Sequence, residues 1–77
     1  MITRILLSKC LNYLNDEVYY DNVSYGVTNY KTFILIEVTI WNTQIITFKY
    51  KLSDKSEFND MIKSLNEFVN KNKEILC

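Results

Sequence analysis

The fold is decided by residues 34–52, ILIEVTIWNTQIITFKYKL, in which apolar residues recur at every second position on both sides of a short polar break. Successive side chains of a strand point to opposite faces, so each half presents two rows. Before the break, Ile34, Ile36, Val38 and Ile40 form one row; after it, Ile46, Phe48, Tyr50 and Leu52 form another. Both rows reach the same face only in a hairpin of suitable parity. A two-residue loop at Asn42 and Thr43 would set Ile36 against Lys49. A three-residue loop, Asn42 to Gln44, pairs Ile40 with Ile46, Val38 with Phe48, Ile36 with Tyr50 and Ile34 with Leu52. It also sets Trp41 beside Ile45, Thr39 beside Thr47 and Glu37 beside Lys49 on the opposite face, so every cross-strand pair is favourable.

Upstream, the β-branched and aromatic bias extends back to Val18, with turn chemistry at Gly26 to Asn29, so a third strand precedes this hairpin. Its register stays open, because Val18 and Tyr20 compete with Tyr19, Val23 and Tyr25 for the inner face. Gly26 is expected to supply a positive φ in the turn, or a bulge. Ile2, Ile5, Leu6, Cys10, Tyr13 and Leu14 recur at helical spacing, widened by Leu7 and Leu11, and predict a first helix over about residues 4–15. Thr3 suits its N-cap, Ile2 and Leu7 a hydrophobic staple, and Asn15 with Asp16 its exit. Phe58, Met61, Ile62, Leu65, Phe68 and Val69 predict a second helix, with Asp54 and Glu57 at capping-box spacing and Ser53 as an alternative cap.

The expected fold is therefore α+β: a two-layer αβββα arrangement, with a three-stranded antiparallel meander and two amphipathic helices on one face. The alternative is a sandwich, in which the helices bury Phe33, Leu35 and Trp41 as well. At 77 residues and 9.2 kDa, residues 1–77 are read as a single domain.

Composition narrows the chemistry. Nine basic residues balance nine acidic ones, which excludes an overall polycation or polyanion. With no histidine and one glycine, the chain lacks the usual general base, the Gly-rich phosphate loops and the dinucleotide fingerprint. Cys10 and Cys77 alone cannot complete a four-ligand zinc site, and Cys10 lies on the apolar side of the first helix, where a small buried hydrophobe is expected. Glu57 with Asp60, and Asp16 with Glu17 and Asp21, fall where solvated helix ends are expected. The reading is accordingly of a non-enzyme, with no catalytic, cofactor-binding or metal-binding residue and no cofactor. The longest purely apolar run, Phe33 to Ile36, is far shorter than a membrane span, and no signal-peptide core precedes it, so a cytoplasmic location is expected.

What remains is the outer face of the sheet. Phe33, Leu35, Trp41 and Ile45, rimmed by Glu37, Lys49 and Lys51, make an apolar patch of a kind that monomeric proteins seldom leave open without use. Trp is also a favoured interface anchor. These seven residues are the candidate partner-binding set. A heterologous protein is the expected partner, with a homodimer mate or a helix of the same chain as other ways to cover the face. A small single-stranded nucleic-acid binder is a further alternative, since Lys49 and Lys51 lie among aromatics on this face; the aromatic motif of sheet-surface RNA modules and a net positive field are both missing.

The short chain beginning at Met1, its richness in Asn, Ile, Tyr and Lys, whose codons are AT-rich, and the order helix, three-strand meander, helix resemble small phage or mobile-element proteins that antagonise host machinery, including some anti-CRISPR inhibitors. The resemblance implies a cytoplasmic, non-enzymatic inhibitor or regulator of a larger host protein. It covers the element order alone and assigns no residue a role.

Overall fold

The computed structural model describes residues 4–18 and 20–76. Its elements run α1 (Arg4–Glu17), β1 (Val23–Asn29), β2 (Ile34–Trp41), β3 (Ile45–Leu52), a 3₁₀ turn (Lys55–Glu57), α2 (Phe58–Lys71) and a second 3₁₀ turn (Lys73–Ile75). The three strands form one antiparallel sheet with β2 in the centre. This is the α+β meander with flanking helices that the alternation and helical stripes predict.

The β2–β3 hairpin has the expected register, with Ile40 opposite Ile46, Val38 opposite Phe48, Ile36 opposite Tyr50 and Ile34 opposite Leu52. The backbone N–H of Asn42 donates to the Gln44 carbonyl at 3.2 Å and closes the three-residue loop. In the first hairpin Val23 lies opposite Ile40, Tyr25 opposite Val38 and Val27 opposite Ile36, which resolves the register the sequence left open. The inner row of β1 is therefore Val23, Tyr25 and Val27.

Gly26 departs from expectation. It sits mid-strand opposite Glu37, no glycine has a positive φ, and the turn lies further along, where the Tyr30 N–H donates to the Phe33 carbonyl at 2.8 Å. The loop is thus Lys31 and Thr32, and Thr28 and Asn29 are strand residues rather than turn residues. Alternation carries the strand through the glycine because Tyr25 and Val27, on either side of it, both belong to the inner face.

The helices cover one face only. Leu6, Cys10 and Leu14 of α1, Val18 just beyond it, Met61 and Leu65 of α2, and Ile34, Ile36, Val38 and Leu52 of the sheet form a single buried cluster. Each fully buried aliphatic side chain contributes roughly 1.5–3 kcal/mol relative to exposure. α1 packs over β1 and α2 over β3. The sandwich alternative is excluded, since among the described residues no helix lies on the odd-numbered row of β2. α1 also runs two residues past its expected exit, to Glu17, and the Val18 N–H continues its bonding to the Leu14 carbonyl at 3.1 Å. Val18 is buried in the core just beyond α1 rather than in a strand, which explains why its apolar character misled the strand boundary. The proposed Thr3 cap, Ile2 staple and Cys77 lie outside the described residues.

At the start of α2 the capping box forms in full. The Ser56 N–H donates to Asp54 Oδ1 at 2.9 Å, and Glu57 Oε1 accepts from the backbone N–H of Ser53 at 2.6 Å and of Asp54 at 3.1 Å. The box caps the 3₁₀ turn that leads into α2, and it occupies Glu57, one of the carboxylates weighed above.

Candidate functional site

Direct cross-strand partners share a face, so the two registers assign the outer face residue by residue. β1 contributes Ser24, Gly26 and Thr28; β2 contributes Leu35, Glu37, Thr39 and Trp41; β3 contributes Ile45, Thr47, Lys49 and Lys51. All seven sequence-derived candidates lie on this face or at its edge, with Phe33 immediately before β2. None is covered by a helix.

They do not form one patch. Six positions along β2 separate Leu35 from Trp41, about 20 Å at strand rise, and the rows Glu37–Lys49 and Thr39–Thr47 run between them. The expectation of four apolar residues side by side is corrected by the same alternation that placed them on one face, because Glu37 and Thr39 occupy the intervening positions.

The face therefore has two ends and a polar waist. At one end the Phe33 ring stacks on Tyr30, with centroids 4.7 Å apart, and the Lys51 ammonium sits 4.3 Å from the Phe33 centroid. Half-buried Leu35 adjoins this cation–π cluster. In the waist Lys49 Nζ is 3.8 Å from Glu37 Oε2, an exposed pair worth about 0–1 kcal/mol, and the Thr39 and Thr47 hydroxyls lie 3.4 Å apart. At the other end Trp41 is 53% exposed and Ile45, directly opposite, is 64% exposed. These two belong to a non-hydrogen-bonded pair, the closer kind, since the Trp41 N–H donates to the Asn22 carbonyl of β1's approach at 2.8 Å rather than toward β3.

Sequence reasoning missed Ser24. Its Oγ accepts the Trp41 indole N–H at 2.8 Å, which satisfies the ring's only donor and fixes its orientation. The signal was the first-hairpin register, which puts Ser24 on the outer face diagonally across from Trp41. Tyr30, which supports Phe33, was missed for the same reason: its place depends on the Lys31–Thr32 loop.

Cys10 is fully buried, and burial pushes its thiol pKa above the ordinary value, with Lys9 nearby opposing the shift. That is the environment of an inert packing thiol. Among the described residues, no three His, Cys, Asp or Glu side chains are grouped as metal ligands would be. No helix among them is long and apolar enough to cross a membrane. Two shallow cavities lie away from the outer face. One of about 310 Å³ is lined by Ile5, Leu6, Lys9 and Lys55, and one of about 250 Å³ by the Asn42–Gln44 loop, Ile46, Asn72 and Ile75. No protein family matches the chain, and no curated protein or solved structure shows significant similarity to it.

Proposed function

We propose that this chain is a non-enzymatic protein-binding module, a small cytoplasmic inhibitor or regulator that docks on a larger protein through the outer face of its sheet. The observation that supports this reading is the Trp41–Ile45 end of that face. A large aromatic and an aliphatic side chain stand exposed and paired across strands, and the Ser24 hydroxyl holds the indole, so the ring has little freedom left to lose on binding. The Glu37–Lys49 waist supplies a polar rim, and the Phe33–Lys51 cluster offers a second contact at the far end. A target in host defence or replication machinery, as small phage and mobile-element inhibitors have, is the natural class for such a module.

The test is affinity capture from candidate host lysates with the wild-type chain and Trp41→Ala as parallel baits, read by quantitative mass spectrometry. A protein held by the wild type should be lost from the variant, with affinity lower by about 2 kcal/mol or more, as for a central aromatic anchor. Thermal melting of the two baits should nearly coincide, since Trp41 is more than half exposed. Equal retention of every captured protein by both baits would overturn the outer-face reading, and a salt-sensitive gel shift would point to nucleic acid instead.

A further inference from the structure

We infer that the free edge of β1 pairs with the same edge of a second copy of this chain, making a continuous six-stranded antiparallel sheet with a two-fold axis at Gly26.

Both outer strands offer unpaired backbone groups, and edge strands are ordinarily blunted by lysines, prolines or bulges. β3 is guarded, since Lys49 and Lys51 point to its outer face. β1, with the sequence VSYGVTN, has no charge, no proline and no bulge in its pairing.

The direction of the free groups follows from the hairpin. Trp41 donates to Asn22, and Tyr30 donates to Phe33, so even-numbered residues of β1 bond toward β2. The N–H and C=O groups of Tyr25, Val27 and Asn29 and the C=O of Val23 therefore point to the open edge, while the Val23 N–H is taken by the Tyr20 carbonyl at 3.2 Å. Antiparallel pairing of two copies must match odd residues with odd residues. The register that uses the whole strand sets Val23 opposite the second copy's Asn29 and Tyr25 opposite its Val27, giving about six N–H···O bonds.

Three further features suit this register. On the inner face it places Tyr25 against Val27, an aromatic and β-branched pair, where both are only half-buried in the single chain. On the outer face it sets Ser24 against Thr28 and Gly26 against Gly26, with no bulk at the axis. Just beyond the strand ends it brings exposed Asp21, in the turn before β1, to the same end as exposed Lys31 of the second copy, in the loop after it, and symmetry repeats that opposite-charge pairing at the other end. A shift of the strands by two residues loses both the charge match and part of the ladder. The inference does not depend on the outer-face reading, because the axis is perpendicular to the sheet and leaves that face open in both copies.

Light scattering or sedimentation of the wild-type chain from micromolar to millimolar concentration should show the mass rising from 9.2 kDa toward twice that value. Gly26→Lys should weaken association about tenfold or more, since two ammonium groups then face each other across the axis. The fold should survive: a Cβ at position 26 meets no atom within 4 Å, and the new side chain faces Glu37. Asp21→Lys should also weaken association, and adding Lys31→Asp to it should restore the wild-type level. Under oxidation in a Cys77→Ser background, Gly26→Cys should crosslink two chains. Thr28→Cys should not, because the two copies of position 28 lie about 13 Å apart along the strands. A wild-type mass that stays monomeric over the whole range overturns the inference. So does association that survives Gly26→Lys but is lost in Trp41→Ala, which would place the contact on the outer face.

Discussion

The Ser24 hydroxyl decides how Trp41 is presented, and its effect can be separated from that of the ring itself. Ser24→Ala leaves the indole in place but removes its hydrogen-bond acceptor, so the ring gains freedom that binding must then take away. Affinity for a captured partner should fall several-fold, well short of the loss in Trp41→Ala, with the change carried by the on-rate and entropy rather than by buried area. In the core, Leu65→Ala should cost about 2–5 kcal/mol by urea denaturation, because Leu65 is fully buried between α2 and the sheet and truncation leaves a cavity. Asn66, one position around the helix, accepts a hydrogen bond from the Tyr13 hydroxyl of α1 at 2.7 Å. Asn66→Ala should cost about 0.5–1.5 kcal/mol, as an exposed polar tie between the helices would. Cys10 gives the molecule a sensitivity to alkali. Its folded thiol titrates above the ordinary value of 9.0, so the unfolded chain loses the proton first. Stability is complete below that value and falls as the pH rises past it. Burial also raises the Tyr50 hydroxyl pKa, reinforced by Asp60 and Glu57, and adds a loss of the same sign at higher pH. The first part of the decline in denaturation midpoint should be shallower in Cys10→Ala.

The capping box is a device of the element. Hydrogen bonds from the side chain and then the backbone of Ser56 hold the Asp54 carboxyl below its ordinary range, so the cap is intact at neutral pH. Its contribution is present above the ordinary value of 3.8 and is lost as the pH falls through the lowered one. Asp54→Asn should show a smaller loss of α2 helicity by circular dichroism between pH 5 and pH 2, while Asp54→Ala should lower the melting midpoint at pH 7. The elements also show what alternation can and cannot reveal. The β2–β3 register was legible because two uniform rows of four admit one parity. The β1–β2 register was not, since Val18 and Tyr20 carry the same apolar signal as strand residues while serving the helix layer and the connection. Lys31 and Thr32 lack the Asn-Gly chemistry that marks a tight turn, whereas Gly26, which has it in part, stands mid-strand. The candidate residues were placed together on the outer face by the same alternation, but their separation into two ends, and the contacts of Ser24 and Tyr30, needed the first register.

At the scale of the molecule the layout is a slab of 38 × 19 × 17 Å, helices on one side and an open sheet on the other. Its protection is uneven by design of the topology. β2 alone is bonded on both sides, and Ile34, Ile36, Val38 and Ile40 are buried to within about 1%. Hydrogen exchange should find the slowest amides in β2. The amides of Tyr25, Val27 and Asn29 should exchange quickly in dilute solution and slow as concentration rises, the sign of an edge becoming paired. On the proposed reading a partner's identity is not legible in the sequence, because binding through an exposed face needs no motif.

The meander has a consequence in time. Every strand pairs with its neighbour in sequence through loops of two or three residues, so the sheet can close from its turns with little loss of chain entropy, on the microsecond scale of hairpin formation. The layer that covers it comes from opposite ends of the chain: α1 precedes the whole sheet and α2 follows it, and both must dock on one face. Non-local docking is the slower event. Docking of α1 and α2 is therefore what takes Ile34, Ile36, Val38 and Ile40 out of water, and a substitution that slows it leaves that row open for longer to the wrong neighbour.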